Sequence, residues 1–355
     1  VIRHAPALTT EEADLADMVG EVVAGAKERP SDERPGEVTT VRRRLAELGV
    51  WTLEPGEPSG DAGGTGEDVE GDHLAAVIFA CLAQSWPALA WGSVQASVAA
   101  RIVDGTRLAV TIRAGDTAVA VVDGDSDAVR LTVRDGMVSG RVDRIDPAGE
   151  RPCVVVVGDG SVLVLPPEAL RFERLRRTGL DGALTTSAEL VEPVREAEAL
   201  AFGVDTDAAR VRLRLGAAAV ATGIADAAAE AALAYGGQRV QFGAPLTALP
   251  TVRDTLFSAS LAVTTAWRQV LRPRDCPVWQ AAAVLDSACE QAIDACAAAV
   301  QSHGGYGYLT EYRVERMLRD ALSLRAACDV VTARRTAAVA LAGSPPPTDA
   351  GKESQ

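Results

Sequence analysis

Two glycine-bearing segments hold residue types suited to gripping a phosphate. The first reads YGGQRVQFGAP over residues 235–245 and contains Arg239, whose planar guanidinium fork matches phosphate oxygens. The second reads QSHGGYGYLTEYRVERMLRDA over residues 301–321. Its Gly304, Gly305 and Gly307 let backbone N–H groups approach a ligand with no Cβ in the way. A pyrophosphate would suit such a pair, although either loop alone reads equally well as a tight turn between helices. Metal chemistry finds no such support. Cys81, Cys153, Cys276, Cys289, Cys296 and Cys328 form no CxxC pair, and His4, His73 and His303 are the only histidines. Reduced, buried thiols are expected, and no metal site.

The elements that position these loops follow from periodicity. Four long Ala-rich segments, at about 207–235, 249–271, 277–302 and 312–341, carry apolar residues at helical spacing and predict an antiparallel bundle. The first loop joins the first two helices and the second loop joins the last two. Upstream, over residues 107–172, the period changes. RLAVTI, TAVAVV, AVRLTV, MVSGRV, CVVVV and SVLVL are short β-branched runs separated by Gly and Asp turn signals, which predict a small antiparallel β domain.

The start of the chain reads as helical. Thr9 and Glu12 form a capping-box pattern ahead of Leu15, Met18, Val22 and Val23. Thr39 and Thr40 open a second helix that Gly49 ends, residues 56–72 read as a loop, and a third helix runs from His73 to an interruption near Pro87. The expected fold is therefore α+β and multidomain. A helical N-terminal domain (1–106) precedes the β domain (107–204), a C-terminal four-helix bundle (205–342) and a polar, Pro-rich, disordered tail (343–355).

Composition excludes some functions. Of 355 residues 48% are hydrophobic, enough for a large core, and 35 Lys and Arg against 49 Asp and Glu give a formal charge of −14. A phosphate-tracking nucleic-acid binder is not expected. The apolar runs near residues 73–81 and 216–224 are too short or too Ala-rich to span a bilayer, and the beginning of the chain lacks a secretory pattern, so a cytoplasmic, non-membrane protein is expected.

Together the two loops resemble the acyl-CoA dehydrogenase superfamily. Its bundle carries a YxxxRxxFGxP loop and a QxxGGxGYxxEYxxxRxxRDA segment, and both stand almost intact here. The order of helical domain, β domain and bundle also fits. The resemblance implies FAD as cofactor, an acyl-CoA substrate, and contacts from Arg239, Gln241, Phe242, Gln301, Gly304 and Gly305 to the FAD of a neighbouring subunit. Arg319 and Asp320 match the family's RD pair, for which a structural salt bridge suffices.

The departures fall on the chemical half of the site. The family removes the substrate α-proton with a Glu eight residues beyond the RD pair, where this chain has Cys328; a second family position for that base falls on Leu213, before Arg214. Thr-Glu-Pro and Trp-Ile-Thr runs that cradle the flavin ring correspond to VTIRAGD and VDRIDPAG, and the family's Thr-x-Gln is Val330, Val331 and Thr332. This pattern resembles the base-less partner subunit of heteromeric acyl-CoA dehydrogenases, such as those of steroid side-chain breakdown, and implies a hetero-oligomer, a tetramer, acting in lipid or steroid catabolism. Three alternatives stand beside it. Asp329, one residue past the expected base, could serve as base; the chemistry could be of the flavin monooxygenase or nitrososynthase kind; or the chain could be a flavin-free structural subunit. Cys328 reads as an inert buried thiol and His303 as a loop-packing or ligand-edge residue.

Overall fold

The computed structural model describes residues 4, 8, 10–24, 31–52, 67–201, 203–271 and 276–343. The Thr9/Glu12 capping box, most of the 56–72 loop and the tail beyond Gly343 lie outside the described residues.

Five helices come first: α1 (Thr10–Ala24), α2 (Pro35–Glu47), α3 (Glu67–Ala83), α4 (Pro87–Ile102) and α5 (Arg107–Arg113). Pro35 opens α2 at its first turn, four residues ahead of the expected Thr39, because a proline there loses no hydrogen bond. Gly49 ends the segment at φ +73°, as expected. Helix α3 already includes residues 67–72, which the Gly-rich composition had assigned to a loop. Pro87 breaks the third expected helix into α3 and α4, and α4 is buried almost throughout.

The β region holds β1 (Val119–Asp123), β2 (Val129–Arg134), β3 (Met137–Ile145), β4 (Cys153–Val157), β5 (Val162–Leu165), β6 (Leu170–Arg174), β7 (Thr186–Leu190), β8 (Val194–Arg195) and β9 (Leu200–Ala201), with α6 (Glu196–Ala199) between the last two. One sheet runs β1-β4-β5-β9 and the other β2-β3-β7-β6, with β8 paired to β3. Pairing is antiparallel except between β1 and β4. The run RLAVTI is not a strand. Thr106 caps it through a hydrogen bond accepted from the Ala109 N–H, and Ala109 and Ile112 bury one helical face of α5.

Strand β4 shows how the β region is tied to the helices. Val154 and Val156 enter the core between the two sheets, while Cys153, Val155 and Val157 enter the helical core. The period of two places every residue of CVVVV in one core or the other.

The bundle follows: α7 (Thr206–Gln238), α8 (Pro250–Val270), α9 (Val278–His303), α10 (Val314–Ala327) and α11 (Val330–Ala342). Helix α7 is its axis, and residues 214–226 are buried without a break. It is long and apolar enough to cross a bilayer by composition, but that apolarity is spent on the protein's own core. The expected fourth bundle helix is two helices. The chain turns at Asp329, which takes a left-handed conformation (φ +46°).

Candidate functional site

The first loop is a β-hairpin standing on the end of α7. Strands β10 (Val240–Gln241) and β11 (Ala244–Pro245) pair antiparallel across Phe242 and Gly243, whose φ values of +52° and +80° make a type I′ turn. Glycine accepts that conformation freely, but phenylalanine is strained by it. Phe242 is 92% exposed, so the strain presents an aromatic ring to the outside. Gln241 is exposed beside it.

The second loop lies against the first. The His303 ring stacks on Tyr235 at 4.1 Å between centroids, and Tyr312 meets both rings edge-on. The Arg239 guanidinium lies 5.4 Å over the Tyr306 ring and has no acidic partner among the described residues. The six residues expected to hold a dinucleotide therefore sit on two adjoining loops, with Gln241, Phe242, Gln301, Gly304 and Gly305 exposed and Arg239 half-buried.

One detail departs from expectation. The Gly304 N–H donates to the Gln301 carbonyl at the end of α9, so it is not free for a ligand. What the glycines supply is room, because a Cβ at Gly304 or Gly305 would meet nothing within 4 Å. Helix α9 ends here with carbonyl groups, so positive charge for a phosphate has to come from Arg239. His303 is buried, its Nδ1 2.7 Å from the Ala299 carbonyl, and packs the loop from behind.

The other half of the site is a cavity of about 180 Å³ between α4, β1, α7, α9 and the α10–α11 turn. Leu213 and Cys328, on separate elements, both line it, so the two positions lacking a carboxylate face one space. Cys328 donates its thiol to the Leu324 carbonyl at 2.9 Å, and the contact with Cys289 together with burial pushes its pKa well up. Asp329 lines the same cavity, but its carboxylate accepts the Thr332 N–H at 3.3 Å and caps α11.

Sequence reasoning missed the charges that surround this cavity. The end of β1 and the loop after it carry Asp123, Asp125 and Asp127, which the composition presents only as turn residues. Asp123 accepts from Arg214 at 3.0 Å and from Arg210 at 3.3 Å, and Asp127 accepts from Arg335 at 3.2 and 3.1 Å. Alternation of three aspartates in DGDSD, residues 123–127, was the available signal. The VDRIDPAG stretch is also engaged internally. Asp146 accepts from Arg144 at 3.1 Å and pairs with Arg177, while both arginines also donate to the Ser323 carbonyl of α10.

The RD pair differs from the expected ion pair. Arg319 binds Glu315 one turn earlier and the Thr178 carbonyl. Asp320 is buried and accepts the Leu180 N–H at 2.7 Å, and burial pushes its pKa up to about 6. Together they fasten residues 178–180 to α10.

Residues 211–327 match the family model for the acyl-CoA dehydrogenase C-terminal domain. The match lies on the bundle, from α7 to the end of α10. A probable acyl-CoA dehydrogenase of Bacillus subtilis is 37% identical over 157 residues, 41% of this chain and 41% of that protein. The chain spans 28–41% of the length of the first curated relatives it matches. The fold likeness is wider. Butyryl-CoA dehydrogenase from Megasphaera elsdenii superposes with a TM-score of 0.75 at 20% identity, covering 94% of this chain and 99% of that one. A prolyl acyl carrier protein oxidase does so at 0.77 and 15% identity, covering 95% and 100%.

Proposed function

We propose that this chain is one subunit of an FAD-dependent acyl-CoA dehydrogenase assembly, that it completes the flavin site of a homologous partner subunit, and that it carries no base of its own. The observation carrying this reading is the contrast between an open dinucleotide edge and a cavity without a usable base. Arg239 is half-buried over the Tyr306 ring and has no acidic partner among the described residues. At the base position the thiol of Cys328 is engaged with Leu324 and raised in pKa.

FAD, when bound, supplies the acceptor for the hydride that leaves the acyl β-carbon. In this chain Arg239 would pair with the pyrophosphate, the open space at Gly304 and Gly305 would admit it, and Gln241, Phe242 and Gln301 would contact the rest of the dinucleotide. Removing the α-proton of the thioester requires a base within hydrogen-bond reach. That base belongs to the partner subunit, in a cytoplasmic hetero-oligomer we take to be a tetramer serving acyl-CoA, lipid or steroid catabolism.

The rival reading makes Asp329 the base, favoured by its place in the cavity wall. Co-expression with a homologous dehydrogenase chain separates the two. Arg239→Ala should strip flavin from the complex, whereas Asp329→Asn should leave turnover intact. Turnover abolished by Asp329→Asn in a folded complex would replace this reading with the rival one.

A further inference from the structure

We infer that the cavity bearing residues 213 and 328 is a dead end, limiting any acyl group bound by this chain to about six heavy atoms. This rests on the superfamily reading proposed above and goes further, because it names the acyl groups that this chain can and cannot take. An acyl group presented to either base position has to extend into the space those positions line. Trp91 of α4 and Leu285 of α9, both fully buried, stand in its wall.

Behind Trp91 the helices close on one another. A Cβ at Gly216 of α7 would stand 2.5 Å from Val94 Cγ1 of α4, and a Cβ at Gly223 would overlap the Ala80 carbonyl of α3. These glycines are seven residues apart, two turns along one face of α7, so the seam is shut at two successive levels. Between them Ala217, Ala218, Ala219, Val220 and Ala221 have no exposed surface. A chain passing this way would have to separate α7 from α3 and α4 and forfeit close-packed contacts along the seam.

The volume sets the limit. A cavity of roughly 150 Å³ takes a benzene-sized guest, and this one measures about 180 Å³. A second cavity of about 470 Å³ lies beyond the seam at the far end of α7, among Asp226, Glu230, Ala234 and Tyr312. The closed seam at Gly216 and Gly223 lies between the two cavities. Short acyl thioesters fit the first cavity, and long-chain or polycyclic acyl groups do not.

The test is calorimetric titration of the intact assembly with acetyl-, butyryl-, octanoyl- and palmitoyl-CoA. Wild type is compared with Cys328→Trp, which plugs this cavity, or with Ala327→Trp should the first variant fail to assemble. Binding lost on plugging belongs to this chain, and binding that persists belongs to its partner. The lost component should be present for acetyl- and butyryl-CoA and at least ten-fold weaker for octanoyl-CoA, and Trp91→Ala should restore the octanoyl component. Plugging that removes palmitoyl binding as fully as butyryl binding, plugging that removes none of the four, or an unchanged length limit in Trp91→Ala would each overturn the inference. Flavin content on the same samples reports the cross-subunit reading separately. Flavin lost on Arg239→Ala without a length limit sinks this inference alone, and a length limit with flavin indifferent to Arg239 sinks only the other.

Discussion

The two halves of the candidate site treat their polar groups in opposite ways. At the 239–245 and 301–308 edge, the rings of Phe242, Tyr306 and Tyr308 are exposed and Arg239 is half-buried. Phe242 is held in a strained turn with its ring exposed, and Arg239 lies over the Tyr306 ring with no acidic partner among the described residues. Around the cavity, by contrast, Asp123 is bound by Arg210 and Arg214, Asp146 by Arg144 and Arg177, and Asp329 by a backbone N–H. Groups satisfied by their own chain need no ligand, and groups left open need something from outside. The difference teaches where a second molecule belongs.

The sharpest way to break this comparison is Gly305→Val. A Cβ there meets nothing in this chain, so the isolated subunit should keep its stability within about 0.5 kcal/mol. Flavin affinity of the assembly should nevertheless fall ten-fold or more, read by fluorescence of released flavin, because the branched side chain fills the space proposed above for the phosphates. Unchanged flavin affinity would show that the edge is ordinary surface.

Next in size is the fastening between β region and bundle. Folding raises the Asp320 pKa from roughly 4 to about 6, so the folded state holds a proton that the unfolded chain releases. Its contribution to stability is full below pH 4 and is lost as pH rises through 6, on the order of 3 kcal/mol. Asp320→Asn keeps an acceptor for the Leu180 N–H and does not titrate. Urea unfolding between pH 4 and 7 should therefore show a flatter profile for the variant than for wild type, and parallel profiles would contradict the assignment.

Two smaller effects probe the turns. Asp329→Ala should lower stability by about 1–2 kcal/mol, since it removes a cap and puts alanine in a left-handed conformation; chemical denaturation of the isolated chain checks this. Phe242→Gly should stabilise the isolated chain by about 1 kcal/mol by releasing the strained φ, while weakening the assembled complex. A thermal shift upward for the monomer together with faster subunit exchange is the expected pair of results.

The bundle and its loops were legible because helical periodicity, glycine punctuation and a guanidinium at fixed spacing are local signals, and the Tyr235–His303 stack brings the two loops together as their pairing implied. Three things were not legible, each decided by partners distant in sequence. The β-branched run 107–113 is helical because Thr106 caps it and α4 takes its buried face. The fourth bundle helix breaks at Asp329 although nothing in ACDVV forbids a helix. The aspartates at the end of β1 and in the loop after it look like turn residues until Arg210, Arg214 and Arg335 arrive from the bundle.

Flavin stoichiometry decides the central claim. The chain purified alone should carry no FAD, the complex with its homologous partner should carry FAD, and Arg239→Ala in this chain should remove it from the complex. One FAD per chain in the isolated subunit, retained in Arg239→Ala, would contradict the account.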